Sequence, residues 1–397
     1  MRSRAFVAAA AMAFAAALGA GAAGAQEEIR IAHVYGKTGA LEAYAKQSHT
    51  GLMMGLEYMT DGTMQIDGRP IVVIEKDTQL KPEIGRAMLA EAFGDDDAHI
   101  AVGPVSSGVA LAMLPVAEEY ERILIVEPAV ADSITGENWN RYVFRTGRNS
   151  SQDAISNAVA LGAEGVKIAT LAQDYAFGRD GVAAFREALA GTGAELVHEE
   201  YVPTDTQDFT AAAQRIFAAL EGEEGRKIVF VIWAGGANPL GKLDEMEPER
   251  LGIELATGGN ILAAMAAYKA LPGMEGATYY YYEIPKNPMN DWLVEQHMAR
   301  YGEPPDFFTA GGMAAASAIV TAIRAAGSTD TEALIETMEG MTFETPKGPM
   351  IFRPEDHQAL QSMYHFKIRV EDDVAWGIPE LVRELTIEDM DIPIRNQ

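Results

Sequence analysis

The sequence predicts an α/β fold in two doubly wound halves, each with a parallel central sheet. Three observations carry that expectation. From Ile29 onward, short apolar runs alternate with longer amphipathic runs, the pattern of strands joined by crossover helices. The same rhythm restarts after the stretch YVFRTGRNSSQ at 142–152. A chain of 397 residues without cysteine must be held by packed cores rather than disulfides, and two domains suit that length.

Taken in chain order, residues 1–25 read as a targeting segment. Arg2 and Arg4 form a positive start, Ala5 to Leu18 an apolar core, and Ala23-Gly24-Ala25 a small-residue cleavage site. The chain is therefore expected to be exported and cut after Ala25. That apolar run falls short of the roughly 18–20 residues of a membrane helix, and no later stretch is expected to cross a bilayer. GAGAAG at 19–24 matches GxGxxG but follows no strand, so it does not mark a dinucleotide site.

In the first half, strands are expected at 29–34, 70–76, 99–103 and 123–127, with helices near 41–60, 82–94 and 107–121. In the second, a helix near 151–162 leads to strands at 166–172, 195–202 and 227–234, with helices near 179–190, 208–220 and 237–247. The last third changes character. A strand at 277–285 is followed by helices near 289–301, 308–326 and 330–339, then by a turn-rich stretch and a final strand at 363–370. Consecutive helices without a strand between them imply that the chain returns to complete the first half and then crosses back. The expected division is residues 26–146 with 280–348 as lobe I, and 147–279 with 349–397 as lobe II.

Composition narrows the function classes. With 31 basic and 58 acidic residues the formal charge is −27, which repels nucleic acid and anionic membrane surfaces. The seven histidines form no HExxH or similar pair, and there is no cysteine to help ligate a metal. Asp95-Asp96-Asp97 lacks the spacing of a calcium loop. Neither a metal nor another cofactor is expected.

One corner carries chemistry. In AVGPVSSGVALAML, 101–114, an apolar run ends in Gly-Pro, Ser-Ser-Gly follows, and a helical pattern begins. A hydrolase nucleophile turn needs G-x-S-x-G, but Pro104 and Val105 stand two residues before Ser106 and Ser107. A phosphate-binding loop needs a lysine that the segment does not have. What remains is a strand running into a helix capped by Ser106 or Ser107. The free N–H groups and dipole of its first turn either favour an anion at the ligand-binding edge of a parallel sheet or are simply capped. Two aromatic features have the same dual reading. Tyr279 to Tyr282 would place rings on both faces of a strand, and Trp233 ends a strand just before Gly235-Gly236, as cleft lining or as a structural turn.

Between Ile29 and Val370 the chain resembles the periplasmic solute-binding proteins of ABC importers, in the leucine/isoleucine/valine-binding group with the type I fold. The carriers are GKTGALEAYAKQSHTGLMMGLEYM, VGPVSSGVALAMLPVAEEYERILIVEPAVADSIT, FRTGRNSSQ, LAQDYAFGRDGVAAFREAL and NPMNDWLVEQHMARYGEPPDFFTAGGMAAASAI, in that order. The resemblance implies two Rossmann-like lobes joined by three hinge crossovers and closing on a small ligand. It implies that Ser107, with Ser106 beside it, takes a ligand carboxylate. The PAVADS segment would contribute the Ala129 backbone and position 131, and Tyr44 and either Tyr175 or Phe177 would supply aromatic contacts.

Two departures from the family bear on the ligand. Amino-acid binders of this group often have Ser or Thr where this chain has Ala131, and a carboxylate near Asn260. A buried ammonium without its counter-ion is costly. The expected ligand is thus either a hydrophobic or branched-chain amino acid, with Asp174 or Glu283 supplying the missing charge, or an aromatic, keto or hydroxy acid with no ammonium. The expected protein is a periplasmic monomer and not an enzyme. It hands its ligand to a membrane permease, or, in a second reading, reports it to a membrane receptor; a secreted α/β hydrolase is disfavoured by the missing nucleophile turn.

Overall fold

A computed structural model describes residues 27–397, so the targeting segment expected at 1–25 lies outside the described residues. β1 (Ile29–Tyr35), β2 (Gln65–Ile66), β3 (Arg69–Asp77), β4 (Ile100–Val102), β5 (Ile123–Val126) and β6 (Val143–Arg145) form one sheet in the order β2-β3-β1-β4-β5-β6. All its pairs are parallel except the β2–β3 hairpin. The helices Glu42–Met59, Pro82–Gly94 and Ser107–Tyr120 are its crossovers. β4 and β5 are apolar at every position because both faces of a parallel sheet are covered, and each of their residues is buried.

The helix Phe307–Ala326 returns to this first layer and lies against Glu42–Met59. Small residues make the approach close enough for backbone contact. A Cβ at Gly51 would stand 2.0 Å from the Thr309 carbonyl oxygen, and one at Gly312 would stand 2.0 Å from that of Ser48. By length and composition this helix is apolar enough to cross a membrane, against the expectation that no later stretch is, but 89% of that window is buried within the protein. It is the core helix of the first layer.

The second sheet consists of β7 (Lys167–Gln173), β8 (Glu195–Val202), β9 (Lys227–Ile232) and β10 (Ile253–Thr257), all parallel in the order β10-β9-β7-β8. The helices Ser150–Leu161, Ala176–Leu189 and Thr210–Glu221 flank it. The remaining strands are β11 (Glu275–Thr278), β12 (Thr342–Thr345), β13 (Gly348–Phe352), β14 (Ala359–Leu360), β15 (Met363–Arg369) and β16 (Ile378–Leu385). They pair as two small antiparallel sheets, β11-β15-β16 and β12-β13-β14.

Three differences from the sequence reading have physical causes. The strand expected at 277–285 stops at Thr278, so Tyr279 to Tyr282 lie in a crossing segment and do not alternate across a sheet. β10 and the β12-β13-β14 sheet escape a periodicity argument because two to five residues are too few to establish a period. That sheet also shifts a boundary: Met350, Phe352 and Ala359 pack into the first core, beyond the division expected at 348.

Candidate ligand-binding cleft

The carboxyl ends of β4 and β5 face those of β9 and β10 across a cavity of about 110 Å³, at the edge where open α/β sheets take ligands. Val105, Ser107, Pro128 and Val130 line it from the first sheet; Trp233, Ala234 and Thr257 through Asn260 line it from the second. Gly103 makes the first corner possible. Its φ is +127°, and a Cβ there would stand 2.1 Å from the Val34 carbonyl oxygen. The chain then turns through Pro104 into the helix that starts at Ser107.

At that helix Ser106 occupies the N-cap position but makes no side-chain cap bond. Ser107 turns inward instead, and its Oγ accepts the Val130 and Ala131 N–H groups at 3.3 and 3.2 Å. A hydroxyl that accepts twice still has its own proton to donate, and here it borders the cavity beside a helix N-terminus. Ala129 and Ala131 are buried behind this corner rather than among the lining residues; the Ala129 N–H donates to the Pro104 carbonyl and the Ala131 carbonyl accepts from Arg145.

Aromatic rings dominate the rest of the lining. Tyr44, Phe307 and Phe308 come from the first layer, and Tyr175, Phe177 and Trp233 from the second. Tyr175 and Phe177 remain half-buried on the cavity wall with their rings 5.8 Å apart. Trp233 is fixed by its indole N–H, which donates to the Gly236 carbonyl, and by edge contact with Phe209.

Two residues singled out from the sequence act across the cleft. The Tyr44 hydroxyl donates to Asn260 Oδ1 at 2.8 Å and accepts the Gly235 N–H at 2.9 Å, so it bridges the two layers. Gly235 itself sits beside this bridge with φ +81°, where a Cβ would crowd the Leu41 side chain at 3.0 Å and the Ala40 carbonyl oxygen at 3.3 Å. A second bridge is made by Asp306, whose carboxylate accepts the Leu262 N–H and the Gln47 side-chain amide. Burial pushes its pKa up to about 6.

The charged end of the cavity was not foreseen. Arg148 and Asp153 line it, and Arg148 Nε donates to Asp153 Oδ1 at 3.0 Å. Burial raises the Asp153 pKa, opposed by the guanidinium beside it. Behind them lies Glu127, 1% exposed, which accepts from the Thr146 hydroxyl; burial pushes its carboxyl up to about 7. Lys347 is buried too, donating to Gln361 Oε1 and the Ser362 carbonyl and standing 4.0 Å from the centre of the Tyr279 ring. Burial holds its pKa well below that of a free lysine. Asp174 and Glu283, the expected sources of a counter-charge, are both exposed and outside the lining; Asp174 pairs with Arg179.

The cleft can therefore hold a small molecule between aromatic rings, with an anionic group at one end. Comparison with known proteins agrees in fold. Residues 28–373 match the periplasmic binding protein family. A solved structure from Rhodopseudomonas palustris, described as an ABC-type branched-chain amino acid transporter, is 70% identical and superposes with a TM-score of 0.84, covering 93% of this chain and 100% of that one. A solute-binding protein of an ABC transporter from R. palustris BisB5, solved with 3,4-dihydroxybenzoic acid, is 25% identical with a TM-score of 0.79, covering 92% of this chain and 99% of that one. Leu/Ile/Val-binding protein homolog 6 of Brucella melitensis is 26% identical over 330 residues, which is 80% of this chain and 82% of the relative. The chain belongs to the periplasmic binding protein family, as the solute-binding component of an ABC transporter.

Proposed function

We propose that this chain is cut after Ala25 on export, works in the periplasm as a monomer, and delivers a small aromatic carboxylate to a membrane permease without altering it chemically. One observation carries the choice of ligand. The cavity is walled by aromatic rings and bordered by the Ser107 hydroxyl, while Asp153, the acid among its described lining residues, is already bonded to Arg148. Rings offer apolar area to an aromatic ligand, and a hydroxyl at a helix N-terminus offers a charge-assisted bond to its carboxylate. An ammonium would have to share Asp153 with Arg148, through the carboxylate oxygen that Arg148 does not hold. The complex with 3,4-dihydroxybenzoic acid in a relative 25% identical supports the same ligand class.

A branched-chain amino acid is the second reading. It is favoured by the presence of Asp153 in the lining and by the description of the 70% identical relative. A thermal-shift panel of benzoate, 4-hydroxybenzoate, L-leucine and L-phenylalanine separates the two, because a bound ligand raises the melting temperature by mass action. The benzoates are expected to give the largest shifts and to be recovered unchanged by chromatography. A larger shift with L-leucine would move the assignment to amino acids, and conversion of the ligand would end the transport reading.

A further inference from the structure

We propose that Arg148 selects the charge of the ligand, receiving its carboxylate through the two terminal guanidinium nitrogens while Asp153 holds the Nε edge. The proposal rests on the reading of the cleft as a carboxylate site and adds the residue that enforces it. Arg148 lies in the crossing between β6 and the helix Ser150–Leu161, which the N-cap and capping box of Asn149 and Gln152 hold in place. Its side chain is only 11% exposed. The guanidinium carbon stands 4.9 Å from the centre of the Phe307 ring and 5.5 Å from that of Tyr279. Both rings line the same cavity.

The donor accounting is what points to a ligand. A guanidinium has five N–H donors, and among the described residues only the Nε–H of Arg148 has a hydrogen-bond acceptor. The terminal nitrogens are absent from the buried side-chain atoms that have no partner, so they are not sealed in the wall, and their residue lines the cavity. A desolvated guanidinium fork in that position matches a planar carboxylate in two parallel bonds. Lys347, the neighbouring cation, is a poorer candidate because its ammonium is directed at Gln361 and the Ser362 carbonyl, both at 2.7 Å. Ser107 borders the same cavity, so hydroxyl and guanidinium act on one anion.

Asp153 then has a defined effect. It is the carboxylate already competing for Arg148, and its charge opposes a second anion nearby. Removing that charge while keeping its shape should strengthen carboxylate binding, which a purely structural role for the Arg148–Asp153 pair would not do.

The test measures dissociation constants by calorimetry for benzoate and its uncharged isostere benzamide, with L-leucine alongside, on wild type, Arg148→Met, Arg148→Lys and Asp153→Asn. Arg148→Met is expected to weaken benzoate at least 30-fold and to leave benzamide within threefold, with Arg148→Lys in between. Asp153→Asn is expected to tighten benzoate severalfold. Benzoate binding within threefold of wild type in Arg148→Met would overturn the proposal and leave the function intact. If Arg148→Met shows no unliganded melting transition, Asp153→Asn decides alone, and unchanged or weaker benzoate binding overturns the proposal. Should wild type prefer L-leucine, the aromatic reading fails, and a 30-fold loss of L-leucine in Arg148→Met still upholds Arg148. Wild type that binds none of these carboxylates refutes both.

Discussion

The two walls of the cleft are built to different specifications. One wall, formed by the ends of β4 and β5 and by the crossing after β6 with the first turn of the helix Ser150–Leu161, supplies polarity: the Ser107 hydroxyl, the Arg148–Asp153 pair and, behind them, Glu127 and Lys347. The other wall supplies shape, through Tyr175, Phe177 and Trp233 after β7 and β9, joined by Tyr44, Phe307 and Phe308 from the first layer. The contrast teaches a division of labour. Ring stacking and area burial are tolerant of charge, whereas a guanidinium and a hydroxyl in a desolvated corner are not. One wall thus sets how tightly a ring is held, and the other sets which rings are accepted.

Substitutions can break this comparison, beginning with the largest effect. Glu127→Gln removes a buried acid whose pKa is pushed up to about 7 from an ordinary value of 4.5. A raised folded pKa means that stability is fully present below the unfolded value and is lost as pH rises through the folded one. The variant should therefore gain stability over wild type as pH climbs from about 4.5 past 7, by roughly 3 kcal/mol at full ionisation. Urea unfolding at several pH values measures the gap, and a pH-independent difference would contradict the burial of a titrating Glu127.

Next comes Ser107→Ala, expected to cost benzoate about 2 kcal/mol of binding and benzamide much less, since the hydroxyl bonds to a charge in only one of them. Phe177→Ala should cost about 1.5 kcal/mol for both ligands alike, because it removes apolar contact and leaves the charged corner intact. If Phe177→Ala changed the preference for benzoate over benzamide, the division between walls would fail. Tyr44→Phe is the mildest. It removes the hydroxyl that bridges to Asn260 and Gly235 and should weaken every ligand by about 1 kcal/mol, read by the same titrations.

How far the sequence disclosed all this depends on the kind of signal. The Ser107 corner was legible because Gly-Pro followed by Ser-Ser-Gly must break a strand and start a helix, whatever the rest of the chain does. The sequence did not show what the Ser107 hydroxyl does: it accepts N–H bonds from Val130 and Ala131, more than twenty residues away along the chain. Tyr44, Tyr175, Phe177, Trp233 and Asn260, candidates from the sequence and its resemblance, line the cavity, whereas Ser106, Ala129, Ala131 and Gly235 stand beside or behind it. For Asn260 the reading captured position but not partner, since its side chain faces Tyr44 rather than holding a place for a lost carboxylate.

Arg148 and Asp153 were missed for a physical reason. An arginine just before a helix and an aspartate in its first turn look like ordinary surface electrostatics in one dimension. Phe307 and Tyr279, from segments more than a hundred residues downstream, pack against the Arg148 guanidinium and help take it out of water. The same limit explains the fold. Long crossovers such as Ser107–Tyr120 follow from their period, but β6, β10 and the β12–β13 hairpin are held by partners rather than by their own pattern.

The most direct measurement is a crystal structure of the protein with benzoate bound. The account expects the carboxylate within hydrogen-bond reach of Ser107 Oγ and the terminal nitrogens of Arg148, with the ring between Tyr175, Phe177 and Trp233. A carboxylate turned toward the second wall, with Arg148 still engaged only by Asp153, would contradict it.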